Sequence, residues 1–113
     1  MSKSETIISI VIPVYNDRLF LQSLLLDTLK CLKERTEIII VDSSDDPEDF
    51  NLLPFRENDL VSFLYFRLPP SYAGKSLNLG INEASSEFIG FLDTKTPPLE
   101  DWPYSYIEKI KDR

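Results

Sequence analysis

The sequence predicts an α/β fold, a three-layer sandwich in which helices cover a mostly parallel central sheet. Three segments, residues 7–14, 37–42 and 87–93, are apolar almost without interruption, which is typical of strands buried on both faces. A helical pattern separates the first two, and a strand, helix, strand succession forms a parallel pair. The length of 113 residues and the apolar fraction of 42% suit one globular unit, so residues 1–113 are treated as a single domain.

The first strand and the first helix have the clearest patterns. Residues 7–14 read I-I-S-I-V-I-P-V, a run that Pro13 closes. In residues 17–33 leucines recur at three- and four-residue steps, as on one face of a helix; they are Leu21, Leu24, Leu25, Leu29 and Leu32. Asn16 or Asp17 can serve as the N-cap of this helix.

The rest of the chain repeats the strand and helix patterns with polar interruptions. Residues 37–42 (E-I-I-I-V-D) predict a second strand, and the polar, proline-interrupted residues 43–58 predict a surface loop. The segments expected after it are a third strand at 60–68, a second helix at 76–84, a fourth strand at 87–93, a turn at 94–98 and a short helix at 101–111.

The composition excludes several classes of function. Twelve basic against 19 acidic residues give a net charge of −7, which argues against nucleic acid or an anionic membrane as partner. The absence of histidine and the single cysteine exclude Ser-His-Asp and Cys-His catalysis, His-based zinc sites and an internal disulfide. Cys31 falls in the apolar helical pattern, so we expect a core thiol. With no transmembrane segment or signal peptide in the pattern, the expected compartment is the cytoplasm.

Three familiar binding motifs are incomplete. Residues 69–76 (P-P-S-Y-A-G-K-S) resemble a phosphate loop, but Pro69 stands where that loop needs glycine, and proline has no N–H for a phosphate. No glycine follows the first strand, which excludes a G-x-G-x-x-G dinucleotide site and argues against a nucleotidyltransferase. The acidic residues 45–49 lack the glycine and terminal glutamate of a calcium loop, so a solvated loop is expected there.

Polar residues end or follow three of the four predicted strands. They are Asn16 after the first strand, Asp42 at the end of the second and Asp93 at the end of the fourth. Ligands of open α/β sheets bind in the crevice at the carboxyl ends of the strands. We therefore expect these residues to converge on a binding site.

Three motifs in this order resemble the nucleotide-binding half of family 2 glycosyltransferases with the GT-A fold. They are S-I-V-I-P-V-Y-N, E-I-I-I-V-D-S-S-D and A-G-K-S-L-N-L-G-I-N-E-A-S-S-E-F-I-G-F-L-D. The resemblance covers about residues 7–98, and its specificity lies in the order and spacing of the blocks. It implies a nucleotide-diphosphate-sugar donor, most often a UDP-sugar, and transfer of the sugar to an acceptor hydroxyl.

The resemblance also implies roles for individual residues. Those placed against the nucleotide base are Pro13, Val14, Tyr15 and Asn16. Asp42 would accept a hydrogen bond from the base or the ribose, since a carboxylate can accept from a uracil N–H, and Ser44 and Asp45 would stand at the rim. The alternative for Asp42 is that it caps a turn.

A second group of residues would face the donor diphosphate. Gly74, Lys75 and Asn78 match the G-x-x-x-N element of the family, whose helix N-terminus and basic group would contact the phosphates. The alternatives are a solvated Lys75 and a scaffold role for Asn78 and Gly80, since asparagine can bond the adjoining turn and glycine allows close helix packing.

The chain departs from the family at the D-x-D motif, which holds a divalent cation, Mn²⁺ or Mg²⁺, on the donor phosphates. The matching residues here are Asp93, Thr94 and Lys95, and a protonated lysine cannot bind a cation. An ordinary two-carboxylate metal site is therefore in doubt. Our hypothesis is that Lys95 supplies the positive charge while Asp93 orients it or a ribose hydroxyl. A weak metal site with Asp93 as its single acid is the competitor.

The second departure is length, because family members continue with an acceptor-binding half that carries the general base. The carboxylates near the end of the chain read as helix surface, so no catalytic residue is assigned; they are Glu100, Asp101, Glu108 and Asp112. We expect either a truncated glycosyltransferase or a catalytically silent nucleotide-binding or interaction module derived from one.

The missing half has an expected consequence for the surface. An apolar patch would lie where that half packs, and the residues expected to line it are Trp102, Tyr104 and Tyr106. Self-association through this patch is then expected.

Overall fold

A computed structural model of the chain describes residues 6–70, 73–95, 102–104 and 107. Its elements in chain order are β1 (Ile8–Val14), α1 (Arg18–Cys31), β2 (Thr36–Asp42), a 3₁₀ turn (Leu53–Phe55), β3 (Val61–Arg67), α2 (Ala73–Glu83) and β4 (Ile89–Phe91). The described strands form one all-parallel sheet in the order β3-β2-β1-β4. The predicted α/β class with a parallel sheet is confirmed.

The strand order places a topological switch point between β1 and β4. The chain runs from β1 through β2 to β3 on one side, then returns to add β4 on the other side of β1. The three long strands end side by side, because their last residues are paired: Val14 with Asp42, and Asp42 with Arg67. Ligands of open α/β sheets bind at the carboxyl ends of the strands, at such a switch point.

Side chains of β1 alternate between two apolar layers, as the twofold period of a strand requires. Ile10 and Ile12 pack in the larger cluster with α1, whose buried positions Leu21, Leu24 and Leu25 form its apolar face. On the other face, a second cluster centres on Val11, Ile39 and Val41, with Leu77 and Leu79 of α2 packed against it. The sheet is thus covered on both faces, which completes the three-layer arrangement.

Gly80 brings α2 close to the sheet. A Cβ built on this residue would lie 2.3 Å from Cγ1 and 2.9 Å from Cγ2 of Val11, closer than real side chains approach. The helix therefore rests on β1 at a distance that only glycine permits. This close contact favours the scaffold reading of Gly80.

The structure differs from the predictions at the second helix, at the fourth strand and at Cys31. The second helix begins at Ala73 rather than residue 76, so it includes Gly74 in its first turn. The fourth strand is Ile89–Phe91, shorter than predicted; among the described strands it pairs with β1, and hydrogen bonds at Phe88 and Leu92 close its short ladder. Cys31 is half-buried at the last residue of α1, not in the core as expected.

The described residues beyond β4 cover the core instead of leaving it open. Tyr104 and Ile107 are buried, and Trp102 packs against the larger cluster. The Tyr104 hydroxyl lies 2.9 Å from Oγ1 of Thr36 and accepts a hydrogen bond from the Lys33 N–H at 3.2 Å.

The expectation that Trp102 and Tyr104 line an exposed patch is wrong, because their rings pack inward and the phenol finds polar partners next to β2. Tyr106 and most of the predicted helix at 101–111 lie outside the described residues. In the part of the chain that the structure describes, no helix has both the length and the hydropathy needed to cross a membrane.

Candidate functional site

A cavity of about 630 Å³ opens at the carboxyl ends of β1 and β4, at the switch point of the sheet. The end of β1 contributes Pro13, Val14 and Tyr15, and the end of β4 contributes Leu92 and Asp93. The predicted residues Pro13, Val14, Tyr15 and Asp93 thus lie around one opening. A concave, largely apolar space with a few polar groups is the usual form of a small-molecule site.

Besides Leu92, five further residues that the sequence reasoning did not select for the site line this cavity. They are Asp17, Ser43, Ser76, Leu77 and Phe91. Phe91 and Tyr15 are each about half exposed, at 46% and 51%, whereas Ser76 is buried. The feature that could have identified two of them is position, because Ser43 directly follows the predicted second strand and Phe91 is third from last in the predicted fourth strand. Ser76 was hidden because the helix was predicted to start there rather than three residues earlier.

Asp42 is fully buried and its carboxylate is already occupied by donors from this chain. Oδ2 accepts hydrogen bonds from the Tyr65 hydroxyl at 2.6 Å and from Nε of Arg18 at 3.1 Å, and Nη2 of Arg18 lies 3.0 Å away. Oδ1 accepts from the backbone N–H of Ser44 at 2.9 Å. The bond to Ser44 two residues on is the turn-capping geometry that was the alternative reading of Asp42.

The donors around Asp42 set its protonation state. Burial alone would raise the pKa of this carboxyl, but hydrogen bonds from Ser44 and Tyr65 and the charge of Arg18 outweigh it, so the pKa lies below its usual value. Burial and the bond to Asp42 in turn raise the pKa of Tyr65. Asp42 is therefore an anion, and Tyr65 is a neutral donor.

Two arginines hold the segment that follows β2. Arg67 donates to the carbonyl oxygens of Glu48 at 2.8 Å, Asp46 at 2.5 Å and Ser44 at 3.1 Å. Arg18 also reaches this segment, because Nη1 lies 3.5 Å from the Asp46 carboxylate. A guanidinium can serve several acceptors at once, so these two side chains fix the loop at the strand ends. Sequence reasoning selected neither arginine for the site. The feature that could have indicated them is a basic residue near a strand end in an acidic chain.

The predicted rim residues form one hydrogen-bonded group between β1 and β2. The side chain of Asn16 donates to Oδ2 of Asp45 at 3.0 Å and accepts from the Asp45 N–H at 3.0 Å. The backbone N–H of Asn16 donates to Oγ of Ser44 at 2.8 Å. Asn16 has a φ of 54°, a left-handed conformation that asparagine tolerates.

Tyr15 belongs to the same group. Its hydroxyl donates to Oδ2 of Asp45 at 3.2 Å, and this bond together with the charge of Asp45 raises the pKa of the phenol. The structure therefore brings together four of the residues predicted for the nucleotide, and Tyr15 connects their cluster to the cavity wall.

The residues predicted for the diphosphate are less concentrated. Gly74, Lys75 and Asn78 lie in the first two turns of α2, with Lys75 and Asn78 exposed. Neither of these two is among the described residues that line the cavity, whereas Ser76 and Leu77 between them do line it. The first turn of α2 thus borders the cavity through side chains other than those predicted for the diphosphate.

The residues at the D-x-D position form a tight turn after β4. Oδ1 of Asp93 accepts from the Lys95 N–H at 3.0 Å, and the Thr94 hydroxyl donates to Oδ2 of Asp17. The Lys95 ammonium lies 5.8 Å from the centre of the Phe20 ring, within cation–π distance. Only Asp93 of the motif lines the cavity.

These residues do not fit an ordinary divalent metal site. The third position of the motif is a lysine, and the described residues contain no group of three or more His, Cys, Asp or Glu side chains that could hold a metal ion. Two carboxylates among the described residues line the cavity, Asp93 and Asp17, and both oxygens of Asp17 already accept hydrogen bonds, so this donor set is poorer than the oxygen-rich shell that Mg²⁺ or Mn²⁺ prefers.

Comparison with known proteins identifies relatives of the chain. The family described as Glycosyl transferase family 2 matches residues 9–113. Poly-beta-1,6-N-acetyl-D-glucosamine synthase of Staphylococcus aureus strain COL is 30% identical over 106 residues, which cover 92% of this chain and 25% of that protein. The protein of the same name in strain MRSA252 matches to the same extent. The chain thus spans about a quarter of the length of the curated relatives it matches.

Solved structures of TarS from S. aureus resemble the whole described fold. One has a TM-score of 0.78 at 20% identity and covers 95% of this chain and 20% of that chain. Structures of TarS in complex with UDP and with UDP-GlcNAc each have a TM-score of 0.79, at 18% and 20% identity, and the match covers 95% of this chain and 32% of theirs. This likeness confirms the GT-A type of fold. Because the family match extends over nearly the whole chain, the protein belongs to glycosyl transferase family 2.

Proposed function

We propose that the cavity between β1 and β4 binds the nucleotide-diphosphate part of a sugar donor, and that the chain is the donor-binding part of a glycosyltransferase. The main support for this proposal is the cavity at the topological switch point of the sheet, in a chain that belongs to glycosyl transferase family 2. The proposed donor is a UDP-sugar, since structures of similar fold are complexes with UDP and UDP-GlcNAc. The reaction proposed for the whole enzyme is transfer of the sugar to an acceptor hydroxyl.

The base end of the donor is assigned to the β1 side of the cavity. Tyr15 and Phe91 provide two half-exposed aromatic walls, and Pro13 and Val14 extend the apolar surface between the strands. A planar base gains from such walls by stacking. Ser43 is the polar group of the β2 end that lines the cavity directly.

Asp42, Asn16, Ser44 and Asp45 have an organising role in this proposal. Asp42 is fully buried and does not line the cavity, so a base N–H could reach its carboxylate only if the surrounding residues moved. The geometry therefore favours a role in which Asp42 holds Ser44 and the loop after β2. The base then meets a rim that is already fixed, which lowers the ordering cost of binding.

The diphosphate end is assigned to the side of α2 and β4. A helix N-terminus favours negative charge, and the first turn of α2 borders the cavity and carries Lys75. Lys95 is the second cation proposed to act here. It would leave the face of Phe20 and neutralise the phosphates, which is the role a divalent cation has in relatives with two acids in the motif. Gly74 and Asn78 complete this group as proposed backbone and amide contacts.

The chemical step requires groups beyond those assigned here. Transfer breaks the bond between the anomeric carbon and the donor phosphate oxygen and forms a bond to the acceptor oxygen, whose proton passes to a base. The cations at the diphosphate end would stabilise the leaving UDP. No residue of this chain is assigned as the base.

A pair of variants tests where the donor binds. Phe91→Ala removes a cavity wall, and Leu26→Ala removes a side chain of similar exposure, 48%, from the outer face of α1. Calorimetric titration with UDP is expected to show affinity about five-fold or more weaker for Phe91→Ala and unchanged for Leu26→Ala. Equal affinity for both variants and the wild type would place UDP elsewhere.

The second candidate is a nucleotide-binding or interaction module that does not transfer sugar. The observation in its favour is Lys95 at the position of the second motif acid. Release of UDP from a UDP-sugar, by hydrolysis or by transfer, distinguishes the two candidates. Turnover that is lost in Phe91→Ala supports the enzyme, whereas binding of UDP without any release supports the module.

A further inference from the structure

Asp17 occupies the N-cap position of α1 but does not cap the helix with its side chain. Aspartate is preferred at N-caps because its carboxylate accepts from the free N–H groups of the first turn. Here the carboxylate bonds elsewhere: Oδ1 accepts from the Tyr15 N–H at 3.0 Å, and Oδ2 accepts from the Thr94 hydroxyl. The expected local bond is therefore replaced by a link between two distant segments.

The two segments linked by Asp17 lie on opposite sides of the switch point. Tyr15 follows β1, and Thr94 follows β4. The backbone ladder between these strands reaches its end where the Leu92 N–H donates to the Val11 carbonyl oxygen. Beyond that bond the strands give way to the loops that flank the cavity, and Asp17 itself lines the cavity between them. Its carboxylate therefore bridges the two loops at the cavity wall.

We propose that Asp17 is a positioning residue that couples the base side of the donor site to its diphosphate side. This inference rests on the proposed function. One carboxylate oxygen fixes the backbone that carries the Tyr15 wall, and the other fixes the turn that carries Asp93 and Lys95. Movement of either loop is thereby transmitted to the other.

Thr94 is the part of the motif turn through which Asp17 acts. It is buried, at 5% exposure, while its neighbours Asp93 and Lys95 are exposed. A buried hydroxyl needs a partner, so the bond to Asp17 restricts the orientation of the turn. Thr94, the middle residue of the D-x-D position, thus restricts the orientation of Asp93 and Lys95 on either side of it.

The test compares a ligand for one half of the site with a ligand for both halves. Uridine reports on the base side, and UDP adds the diphosphate. In the wild type we expect UDP to bind more tightly than uridine, and we call the ratio of the two affinities the UDP gain. Thr94→Val, which keeps the shape but removes the hydroxyl, is expected to reduce this gain about five-fold while uridine affinity stays within about two-fold. Thr94→Ser restores the hydroxyl and is expected to restore the gain.

Matched variants separate coupling from a general loss of stability. Thr28→Val also removes a buried threonine hydroxyl, one that bonds the Leu24 carbonyl oxygen at 2.7 Å within α1. It is expected to leave both affinities unchanged. Asp17→Ala breaks both bonds and is expected to weaken uridine and UDP alike. A Thr94→Val protein with an unchanged UDP gain would overturn the inference.

A ligand-free measurement decides the coupling even if UDP does not bind. Amide hydrogen exchange in residues 14–18 is expected to rise about five-fold in Thr94→Val, because Asp17 loses the partner that holds it against the Tyr15 N–H. Thr28→Val should leave exchange in this segment unchanged. Absence of UDP binding by the wild type would contradict the proposed function, whereas unchanged exchange in Thr94→Val would contradict the coupling itself.

Discussion

Asp42 and Arg67 face each other in the parallel register of β2 and β3, with Nη1 of Arg67 3.6 Å from Oδ2 of Asp42. The same guanidinium bonds three carbonyl oxygens of the loop after β2. One ion pair at the level strand ends therefore joins the sheet to the rim of the cavity. The rim is organised by charge, and its stability should depend on the charge of Asp42.

Stability is expected to fall in acid because of Asp42. Its pKa is lower in the folded chain than the ordinary value of an aspartate, so the unfolded chain takes up a proton first as the pH falls. The stabilising contribution is complete above that value and is lost as the pH drops through the lower folded pKa. The free energy of unfolding, measured by urea denaturation between about pH 6 and pH 3, should decline at the acid end.

Asp42→Asn tests the origin of this decline. It leaves two arginines without their buried anion, so we expect a cost of about 3 kcal/mol at neutral pH and a flatter acid dependence. Asp59→Asn changes an exposed aspartate and serves as the control, with unaltered stability and slope. An Asp42→Asn protein that keeps the wild-type acid slope would show that other carboxyls cause the decline.

Arg67→Lys is expected to loosen the loop after β2 without changing the charge. A lysine ammonium cannot reproduce the fork that serves several carbonyl oxygens and Asp42 together. We expect a loss of about 1–2 kcal/mol in unfolding free energy and faster proteolysis within residues 43–50. Arg56→Lys on the exposed turn after Leu53–Phe55 is the matched control. Equal proteolysis rates in the two variants would show that Arg67 does not hold the loop after β2.

Gly80→Ala should destabilise the fold even though alanine is the better helix former. The new methyl group would lie 2.3 Å from Cγ1 of Val11, a buried side chain whose branching leaves it little freedom to move. We expect a net cost of about 1–3 kcal/mol in thermal or urea unfolding. Asn82→Ala, at an exposed position of the same helix, should be neutral or slightly stabilising. Unchanged stability of Gly80→Ala would mean that α2 can move away from β1.

Lys95 variants test how the diphosphate charge is neutralised. Lys95→Ala is expected to weaken UDP binding in EDTA about five-fold or more, because a charge-assisted contact is lost. Lys95→Asp restores the two acids of the motif, and its UDP binding is expected to become dependent on Mn²⁺. Lys30→Ala, an exposed lysine on the last turn of α1, should leave affinity unchanged. Unaltered affinity of Lys95→Ala would exclude the proposed role of this lysine.

The sheet could be predicted from the sequence because its strands are apolar runs, and the buried face of α1 followed from leucine spacing. The position of the cavity also followed, since parallel strands end at the same edge. The partner of Asp42 could not be predicted, because the contact with Arg67 depends on the register of β2 and β3, which no local pattern encodes.

The role of Asp17 was hidden for a different reason. Its place before α1 predicts an N-cap, and its backbone does occupy that position. Its side chain instead bonds Thr94, which is far away in the sequence and occupies the unspecified position of the motif. The burial of Tyr104 could not be predicted either, because the partner of its hydroxyl near β2 is set by tertiary packing.

Titration of the chain with UDP by calorimetry, once with Mn²⁺ and once with EDTA, tests whether the β1–β4 cavity is a donor site. We expect saturable binding at one site in both buffers, because Lys95 is proposed to supply the positive charge at the diphosphate. Binding that appears only with Mn²⁺ would support the donor site but contradict the proposed role of Lys95. The absence of binding in both buffers would contradict the assignment of the β1–β4 cavity as a donor site.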